Sequence, residues 1–214
     1  MIQFLLKTIL KKIPFLLILI SVLSFGQKFS KEEIYLITNG NIETALPIFQ
    51  TSDSLQHHVL LSQSVDANPK DKITKILVER MKLSLLSTDG GVGIAAPQVG
   101  INRNIIWVQR FDKEGKPLEY FINPKIIWKS ELQNLGPEGD LSIYEFRDYF
   151  YRSKVIRLEY FDLKGNRHEE MVEGFTAVIF QHEIDHLFGV LISDKKENEL
   201  EDSYRKVDAY EKIK

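Results

Sequence analysis

Apolar residues recur at helical spacing in two long segments of the chain. The first segment begins after Pro69 and ends before Asp89, and the second runs from residue 173 to residue 187, with Gly189 following as a candidate C-cap. The apolar positions are Ile73, Ile76, Leu77, Met81 and Leu85 in the first segment, and Phe175, Val178, Ile179, Ile184 and Leu187 in the second. This spacing predicts two helices, the second of them buried in the core.

Four shorter segments are rich in β-branched and aromatic residues, and turn-forming residues separate them. They comprise residues 105–108, 118–122, 125–128 and 155–161. Such an arrangement indicates a mostly antiparallel sheet. In the more polar stretch before residue 69, residues 45–48 and 59–61 are further short extended candidates. We therefore predict an α+β fold in which the sheet packs around the second helix.

The N-terminus has the pattern of a secretory signal. Lys7, Lys11 and Lys12 precede an unbroken apolar stretch at residues 13–25, and the small residue Gly26 follows. A basic start, an apolar centre and a small-residue cleavage site are the three parts of a signal peptide. We expect residues 1–26 to direct export to the periplasm or the medium. The alternative is an uncleaved membrane anchor, which would be the only contact with a membrane.

The rest of the chain is long enough for one globular domain. We assign residues 27–194 to that domain and treat the charged residues 195–214 as a tail, either a solvated helix or a frayed end. The formal net charge of −2 gives no electrostatic basis for binding nucleic acid. Cysteine is absent, which excludes thiol nucleophiles and thiolate ligands. A metal site in this chain therefore uses nitrogen and oxygen ligands.

A candidate metal motif lies in the second predicted helix. His182 and His186 are four residues apart, and Glu183 lies between them. On a helix this spacing brings both imidazoles to one face, while Glu183 points about 100° away and can reach a metal-bound water. Two ligands beside a general base are typical of a metallohydrolase. The pattern alone is also compatible with a histidine pair that satisfies backbone groups.

Two further motifs precede this one. Residues 91–100 read Gly-Val-Gly-Ile-Ala-Ala-Pro-Gln-Val-Gly, and residues 138–142 read Glu-Gly-Asp-Leu-Ser. Together with residues 181–191, they closely resemble the three motifs of peptide deformylases, in the same order. The resemblance implies a metal-dependent amidase that removes the formyl group from N-formylmethionyl peptides with one divalent ion, Fe²⁺ or Zn²⁺. The expected partner is an N-formyl or N-acyl peptide.

The resemblance also implies roles for the motif residues. The family holds its metal with two histidines and a cysteine, and the matching positions here are His182, His186 and Asp140. A carboxylate oxygen is a competent ligand for Zn²⁺ or Fe²⁺, so we expect Asp140 to be the third ligand. The alternative is a surface aspartate left after decay of the site. Glu183 would take a proton from metal-bound water and pass it to the leaving amine.

Other positions match the substrate contacts of the family. Gln98 and the backbone N–H of Leu141 correspond to the groups that stabilise the oxyanion, and Arg147 corresponds to a peptide-binding position. A substrate peptide would pair as an added strand along a short segment. That segment consists of Gly91, Val92 and Gly93.

Three residues near the motifs carry structural expectations. By resemblance, Arg152 pairs with the motif glutamate, Glu138. Asp185 lies within the histidine motif but faces elsewhere on the helix, and we interpret it as a salt-bridge or hydrogen-bond partner. Tyr144 stands where the family often has proline. We expect Tyr144 to reshape the rim of the substrate cleft.

Other functions are compatible with the same residues. One is an exported amidase or metallopeptidase that acts on another N-acyl peptide through the same ligands. A second is an inactive protein that binds peptide or metal, which Asp140 and Tyr144 favour. A third is an iron oxygenase with two histidines and one carboxylate. The presence of Glu183 and Gln98 beside the ligands favours a hydrolase.

Overall fold

A five-stranded antiparallel sheet forms the centre of the molecule and carries a long helix on each face. The computed structural model describes residues 27–195. Its helices are α1 (Lys31–Thr38), α2 (Ser54–Leu60), α3 (Lys72–Leu86) and α4 (Gly174–Leu187), with a 3₁₀ turn at Ala96–Val99. Its strands are β1 (Gly93–Ala95), β2 (Ile105–Gln109), β3 (Leu118–Lys129), β4 (Gln133–Asp140), β5 (Ile143–Ser153), β6 (Val155–Phe161) and β7 (Arg167–Glu173).

The strand order in the large sheet is β1-β2-β3-β6-β7, and β4 pairs with β5 in a separate two-stranded sheet. Every strand pair is antiparallel. The predicted α+β fold with a mostly antiparallel sheet is therefore confirmed.

Strand β2 shows how the two faces of the sheet are filled. Ile105 and Trp107 point into the core shared with α3, whereas Ile106 and Val108 point into the core shared with α4. Side chains alternate between the faces of a strand, so a strand covered on both sides is apolar throughout. The Trp107 indole N–H also donates to the Val78 carbonyl of α3 over 2.8 Å. This bond ties the sheet to the helix.

Helix α4 occupies the predicted segment and ends as predicted. It begins after Glu173, and Gly189 has a positive φ of 70° just beyond its last residue. The N–H groups of Gly189 and Val190 donate to the carbonyls of His186 and Asp185 over 3.1 and 3.0 Å. These two bonds form a Schellman motif, which satisfies carbonyls that a helix end leaves open.

The hairpin formed by β4 and β5 was not predicted. Strand β4 contains Gly136, Pro137 and Gly139, which are depleted in strands because they lose packing or a hydrogen-bond donor. A two-stranded sheet tolerates them because it has free edges. The last residue of β4 is Asp140, so this hairpin places the third candidate ligand.

Three expectations for strands need correction. Residues 59–61 are not extended, because Asp53 caps the N-terminus of α2 and the helix runs through Leu60. Residues 45–48 form no regular element. The segments 118–122 and 125–128 are one strand, β3, with a register shift between Ile122 and Lys125 where Asn123 has a φ of 51°. The Asn-Pro sequence therefore makes a bulge and not a turn.

Helix α1 was missed within the polar stretch. Ser30 accepts a hydrogen bond from the N–H of Glu33, and the Glu33 carboxylate accepts one from the N–H of Ser30. This capping box is a local signal that was readable from the sequence. Glu33 also pairs with the buried Arg103, which joins α1 to the rest of the fold.

Two predicted segments lie outside the residues described here. They are the signal peptide, residues 1–26, and nearly all of the charged tail. Between residues 27 and 195, no helix is long and apolar enough to cross a membrane.

Candidate active site

Two elements bring the three candidate metal ligands together. Helix α4 presents His182 and His186 one turn apart, with their Nε2 atoms separated by 3.3 Å. Asp140, at the end of β4, places its Oδ2 atom 3.5 Å from Nε2 of His186. One ligand atom from each of the three residues lies within 4.8 Å of the others. The structure therefore joins residues that are more than 40 positions apart in sequence.

The residues at this site fit a divalent metal ion. The Asp140 side chain is fully buried, and its Oδ2 atom has no hydrogen-bond partner among the described residues. A buried carboxylate oxygen without a partner is costly, unless a cation binds it. Two imidazole nitrogens and one carboxylate oxygen form a donor set suited to Zn²⁺ or Fe²⁺. His182, His186 and Asp140 would hold the ion.

The second oxygen of Asp140 is fully engaged. Oδ1 accepts hydrogen bonds from the backbone N–H of Ser142 over 2.8 Å and from Nε2 of Gln98 over 3.1 Å. Oε1 of Gln98 accepts from the N–H of Ala95 over 2.9 Å. The two oxygens of one carboxylate therefore have different surroundings, with only Oδ2 facing the histidines.

Glu183 is buried next to the candidate ligands. Its Oε2 atom has no hydrogen-bond partner among residues 27–195. Burial raises the pKa of its carboxyl from 4.5 to about 8. Gly93 lies directly against this carboxylate, because a Cβ at Gly93 would be 2.3 Å from Oε1. A side chain at position 93 would therefore collide with the Glu183 carboxylate.

A network of charged residues contacts His182 at Nδ1, the ring nitrogen that does not face His186. Nδ1 of His182 lies 3.0 Å from Oε2 of Glu138, and Arg152 makes a two-pronged ion pair with the same carboxylate. Arg152 also pairs with Asp185. Burial alone would raise the pKa of Glu138, but the hydrogen bonds from Arg152 and His182 outweigh it and hold the pKa at about 2. The expected pairing of Arg152 with Glu138 is present, and Asp185 is a structural partner.

A cleft opens in front of the ligands. Its walls include Asp140, His182 and Glu183 together with the candidate oxyanion and substrate residues. The latter are Gln98, Leu141, Gly91, Val92, Gly93 and Arg147. Tyr144 is 81% exposed and is not among the residues that line the cleft. The structure thus gathers every predicted site residue around one cavity except His186, which lies buried behind it.

Comparison with known proteins assigns the family. The sequence model of the polypeptide deformylase family matches residues 47–201. This chain belongs to the peptide deformylase family. Peptide deformylases are hydrolases that remove the formyl group from N-formylmethionyl peptides.

Individual peptide deformylases are similar to this chain in sequence and in structure. The chain is 38% identical over 136 residues to the peptide deformylase of Pseudothermotoga lettingae, covering 64% of this chain and 76% of that one. The crystal structure of peptide deformylase from Thermotoga maritima aligns with a TM-score of 0.63 at 35% identity, covering 70% of this chain and 96% of that one. A Met-Ala-Ser-bound class I type b deformylase from Acinetobacter baumannii aligns with a TM-score of 0.62 at 31% identity, covering 71% and 98%.

Against the deformylase pattern, Asp140 is the main departure in this chain. Where the family has a cysteine thiolate, this chain has a carboxylate with two oxygens and a harder ligand atom. The carboxylate could serve as a ligand, because Oδ2 lies 3.5 Å from Nε2 of His186 and the three residues each offer a ligand atom within 4.8 Å of the others. The alternative of an exposed surface aspartate is wrong, since the side chain is buried.

The sequence analysis assigned no role to two polar groups at the site, the Ser142 hydroxyl and the Ala95 backbone N–H. Ser142 is fully buried, and its Oγ atom lies 3.3 Å from Nε2 of Gln98. Ala95 supplies the N–H that orients the Gln98 side chain. The bond from the Ser142 N–H to Oδ1 of Asp140 is an Asx-turn contact, in which an aspartate accepts from the residue two positions later. The Asp-Leu-Ser sequence therefore held a readable local signal. The Ala95 contact is local as well, because Gln98 lies three residues after Ala95, the residue that caps the 3₁₀ turn.

Proposed function

We propose that this protein hydrolyses the formamide bond of N-formylmethionyl peptides with a divalent ion held by Asp140, His182 and His186. The observation that carries the proposal is the buried Oδ2 atom of Asp140. It lacks a hydrogen-bond partner among the described residues and faces the imidazole nitrogen of His186. Membership of the deformylase family supports the substrate class.

The chain's own residues account for the proton transfers. When bound, the divalent ion supplies a Lewis acid that polarises a carbonyl and acidifies water. Glu183 takes a proton as water attacks the formyl carbon, and it then gives that proton to the departing amine nitrogen. The C–N bond breaks, so the products are formate and a free amine. The pKa of Glu183 is raised to about 8 by burial, and a divalent ion held beside it would lower that pKa, so that the carboxylate could act as a base near neutral pH.

Residues on the cleft walls hold the peptide. Strand β1 is an edge strand, and Gly91 and Val92 lead into its first residue, Gly93, along the cleft, so a peptide can pair with this segment. The carboxamide of Gln98 and the backbone N–H of Leu141 stabilise negative charge on the formyl oxygen. Arg147 is exposed at the cleft and meets the peptide beyond its first residue.

The experiment that tests this proposal measures formate release. The protein is reconstituted separately with Fe²⁺, Zn²⁺, Co²⁺ and Ni²⁺ and is incubated with N-formyl-Met-Ala-Ser or N-acetyl-Met-Ala-Ser. We expect metal-dependent formate release, and Glu183→Gln to reduce it by about 10²–10⁴ without loss of metal. Glu173→Gln is the matched control, because this exposed carboxylate precedes the same helix and makes no side-chain cap bond.

Other outcomes would overturn the proposal. Metal binding with cleavage of only the N-acetyl peptide would indicate an amidase of different specificity. Metal binding without any cleavage would indicate a peptide- or metal-binding protein. Formate release that survives in Glu183→Gln would exclude the assigned role of Glu183.

We also propose that the protein is exported. The basic and apolar pattern of residues 1–26 supports this proposal. Expression of the full chain followed by cell fractionation tests it, with replacement of Lys7, Lys11 and Lys12 by glutamate as the disrupted control. Recovery of the unaltered chain in the cytoplasmic fraction would contradict export, and retention in the membrane fraction would indicate an uncleaved anchor.

A further inference from the structure

We infer that Gln98 is a positioning residue for Asp140, holding one carboxylate oxygen so that the other is the sole oxygen offered to the metal. The inference rests on the proposed metal site and extends it to the residue that sets how Asp140 binds. Gln98 is 1% exposed, so its carboxamide has no bulk water as an alternative partner. Its contacts are therefore set by the protein around it.

The orientation of the Gln98 carboxamide is determined by its neighbours. Oε1 accepts from the N–H of Ala95 over 2.9 Å, and Nε2 donates to Oδ1 of Asp140 over 3.1 Å. Exchanging the oxygen and the nitrogen would oppose two donors at Ala95 and two acceptors at Asp140. Only one orientation satisfies both neighbours. In that orientation Gln98 is a donor to the carboxylate.

A carboxylate needs such a restraint more than a thiolate does. The χ2 torsion of aspartate is broad, and the group can bind a metal through one oxygen or through both. A cysteine has a single sulfur and no such choice. Gln98 and the N–H of Ser142 both donate to Oδ1, which leaves Oδ2 alone beside His186. Hydrogen-bond donors around the site thus orient the aspartate that stands where the family has a cysteine.

This arrangement gives Gln98 two tasks at once. Its Nε2 carries two hydrogens, one directed to Asp140 and the other to Oγ of Ser142 over the longer distance of 3.3 Å. The bond to Ser142 is the longer of the two, so stabilisation of an oxyanion by Gln98 would draw on that hydrogen. The bond to Asp140 would then persist.

The test is a double-mutant cycle read by metal affinity. Gln98→Met is made in the natural chain and in the Asp140→Cys background, and affinity for Zn²⁺ is measured by chelator competition in the full-length protein. With Asp140 present we expect affinity to fall about 10–100-fold, as is typical when a supporting partner of a metal ligand is lost, and with cysteine to change less than about threefold. The visible spectrum of the Co²⁺ form should change only in the aspartate background.

Two further variants keep the test decisive. Gln98→Asn retains an amide but shortens its reach, and it should reproduce the same background dependence if Gln98→Met does not fold. Ser142→Ala removes the Oγ contact and keeps the backbone N–H, so the affinity for Zn²⁺ should stay close to that of the natural chain. Thermal unfolding of each metal-free variant checks the fold.

The outcomes separate this inference from the proposed function. Equal loss of affinity in both backgrounds, or no loss with Asp140 present, would overturn the positioning role of Gln98. Formate release by the natural protein would still stand in either case. Failure of the natural protein to bind Zn²⁺ would instead overturn the proposed metal site together with the inference.

Discussion

The site contains two pairs of carboxylates that come from the same two elements and have opposite surroundings. The outer pair is Glu138 of β4 and Asp185 of α4, and both are salt-bridged to Arg152. The inner pair is Asp140 of β4 and Glu183 of α4. Each member of the inner pair has one buried oxygen without a hydrogen-bond partner among the described residues. The salt-bridged carboxylates thus support the site, and the carboxylates with an oxygen that lacks a hydrogen bond face the place where chemistry is proposed.

Geometry explains how two residues of separation produce this difference. Residues two apart in a strand share a face, so Glu138 and Asp140 both point toward α4, where they meet His182 and His186. Residues two apart in a helix point about 200° apart, so Glu183 and Asp185 face opposite ways. Burial raises the pKa of Glu183 to about 8, whereas Arg152 and His182 overcome burial and hold that of Glu138 at about 2.

Removing the shared partner of the outer pair should have the largest effect. Arg152→Met leaves Glu138 buried without its ion pair and Asp185 without one of its two partners. Breaking a buried pair from one side typically costs about 3–5 kcal/mol of unfolding free energy. Urea unfolding of the metal-free protein measures it. Arg147→Met changes an exposed arginine on the same strand and is the control. Equal losses of unfolding free energy in the two variants would show that the ion pairs of Arg152 do not stabilise the fold.

Removing the proposed metal ligand of the inner pair, Asp140, should change metal affinity instead of stability. Asp140→Ala deletes the oxygen that faces the histidines, so we expect a loss greater than the roughly 10–100-fold that follows loss of a supporting partner. Metal content after dialysis, measured by atomic emission, checks this prediction. Asp89→Ala changes an exposed carboxylate on the same cleft and should leave the metal content unchanged. Full metal content in Asp140→Ala would exclude Asp140 as a ligand.

The inner glutamate should also give the metal-free protein a distinctive pH dependence. The pKa of Glu183 is raised from 4.5 to about 8, so the folded state binds more protons than the unfolded state between these values. Stability should therefore fall as pH rises through this window, by at most about 1.4 kcal/mol per pH unit.

Glu183→Gln should remove that part of the slope, because glutamine does not ionise. Denaturant unfolding at a series of pH values compares the two proteins without metal. Glu138 has the opposite sign, since its lowered pKa makes its stabilisation disappear as pH falls from 4.5 toward about 2. If the unfolding free energy of the natural chain and that of Glu183→Gln depended on pH in the same way, burial would not raise the pKa of Glu183.

The smallest effect is expected at the exposed end of the outer pair. Asp185 is 22% exposed on its side chain and pairs with both Arg152 and Lys195. Asp185→Asn leaves Arg152 bound to Glu138, so the unfolding free energy should fall by only about 1 kcal/mol or less. Urea unfolding beside Arg152→Met measures the difference. A loss of unfolding free energy as large as that of Arg152→Met would mean that the ion pair with Asp185, and not the one with Glu138, accounts for the stabilisation by Arg152.

Local patterns were sufficient for the elements with strong periodicity. Helix α4 and its Gly189 end followed from the spacing of apolar residues and one glycine. The β4–β5 hairpin did not follow, because Gly136 and Pro137 weaken the strand signal that pairing with β5 overrides. The apolar content of residues 59–61 predicts an extended segment, but the helix that Asp53 caps runs through Leu60 and ends at Leu61.

The sequence by itself determined the family motifs, the ligand types and the absence of thiolate chemistry, because these depend only on which residues are present and how they are spaced. Tertiary structure decided that Oδ2 of Asp140 faces His186, that Gln98 donates to Oδ1 of Asp140 and that Gly93 lies against Glu183. These contacts join residues far apart in the chain where β1, β4 and α4 meet, so no local spacing encodes them. The bonds from Ala95 to Gln98 and from Ser142 to Asp140 are local and only complete the arrangement.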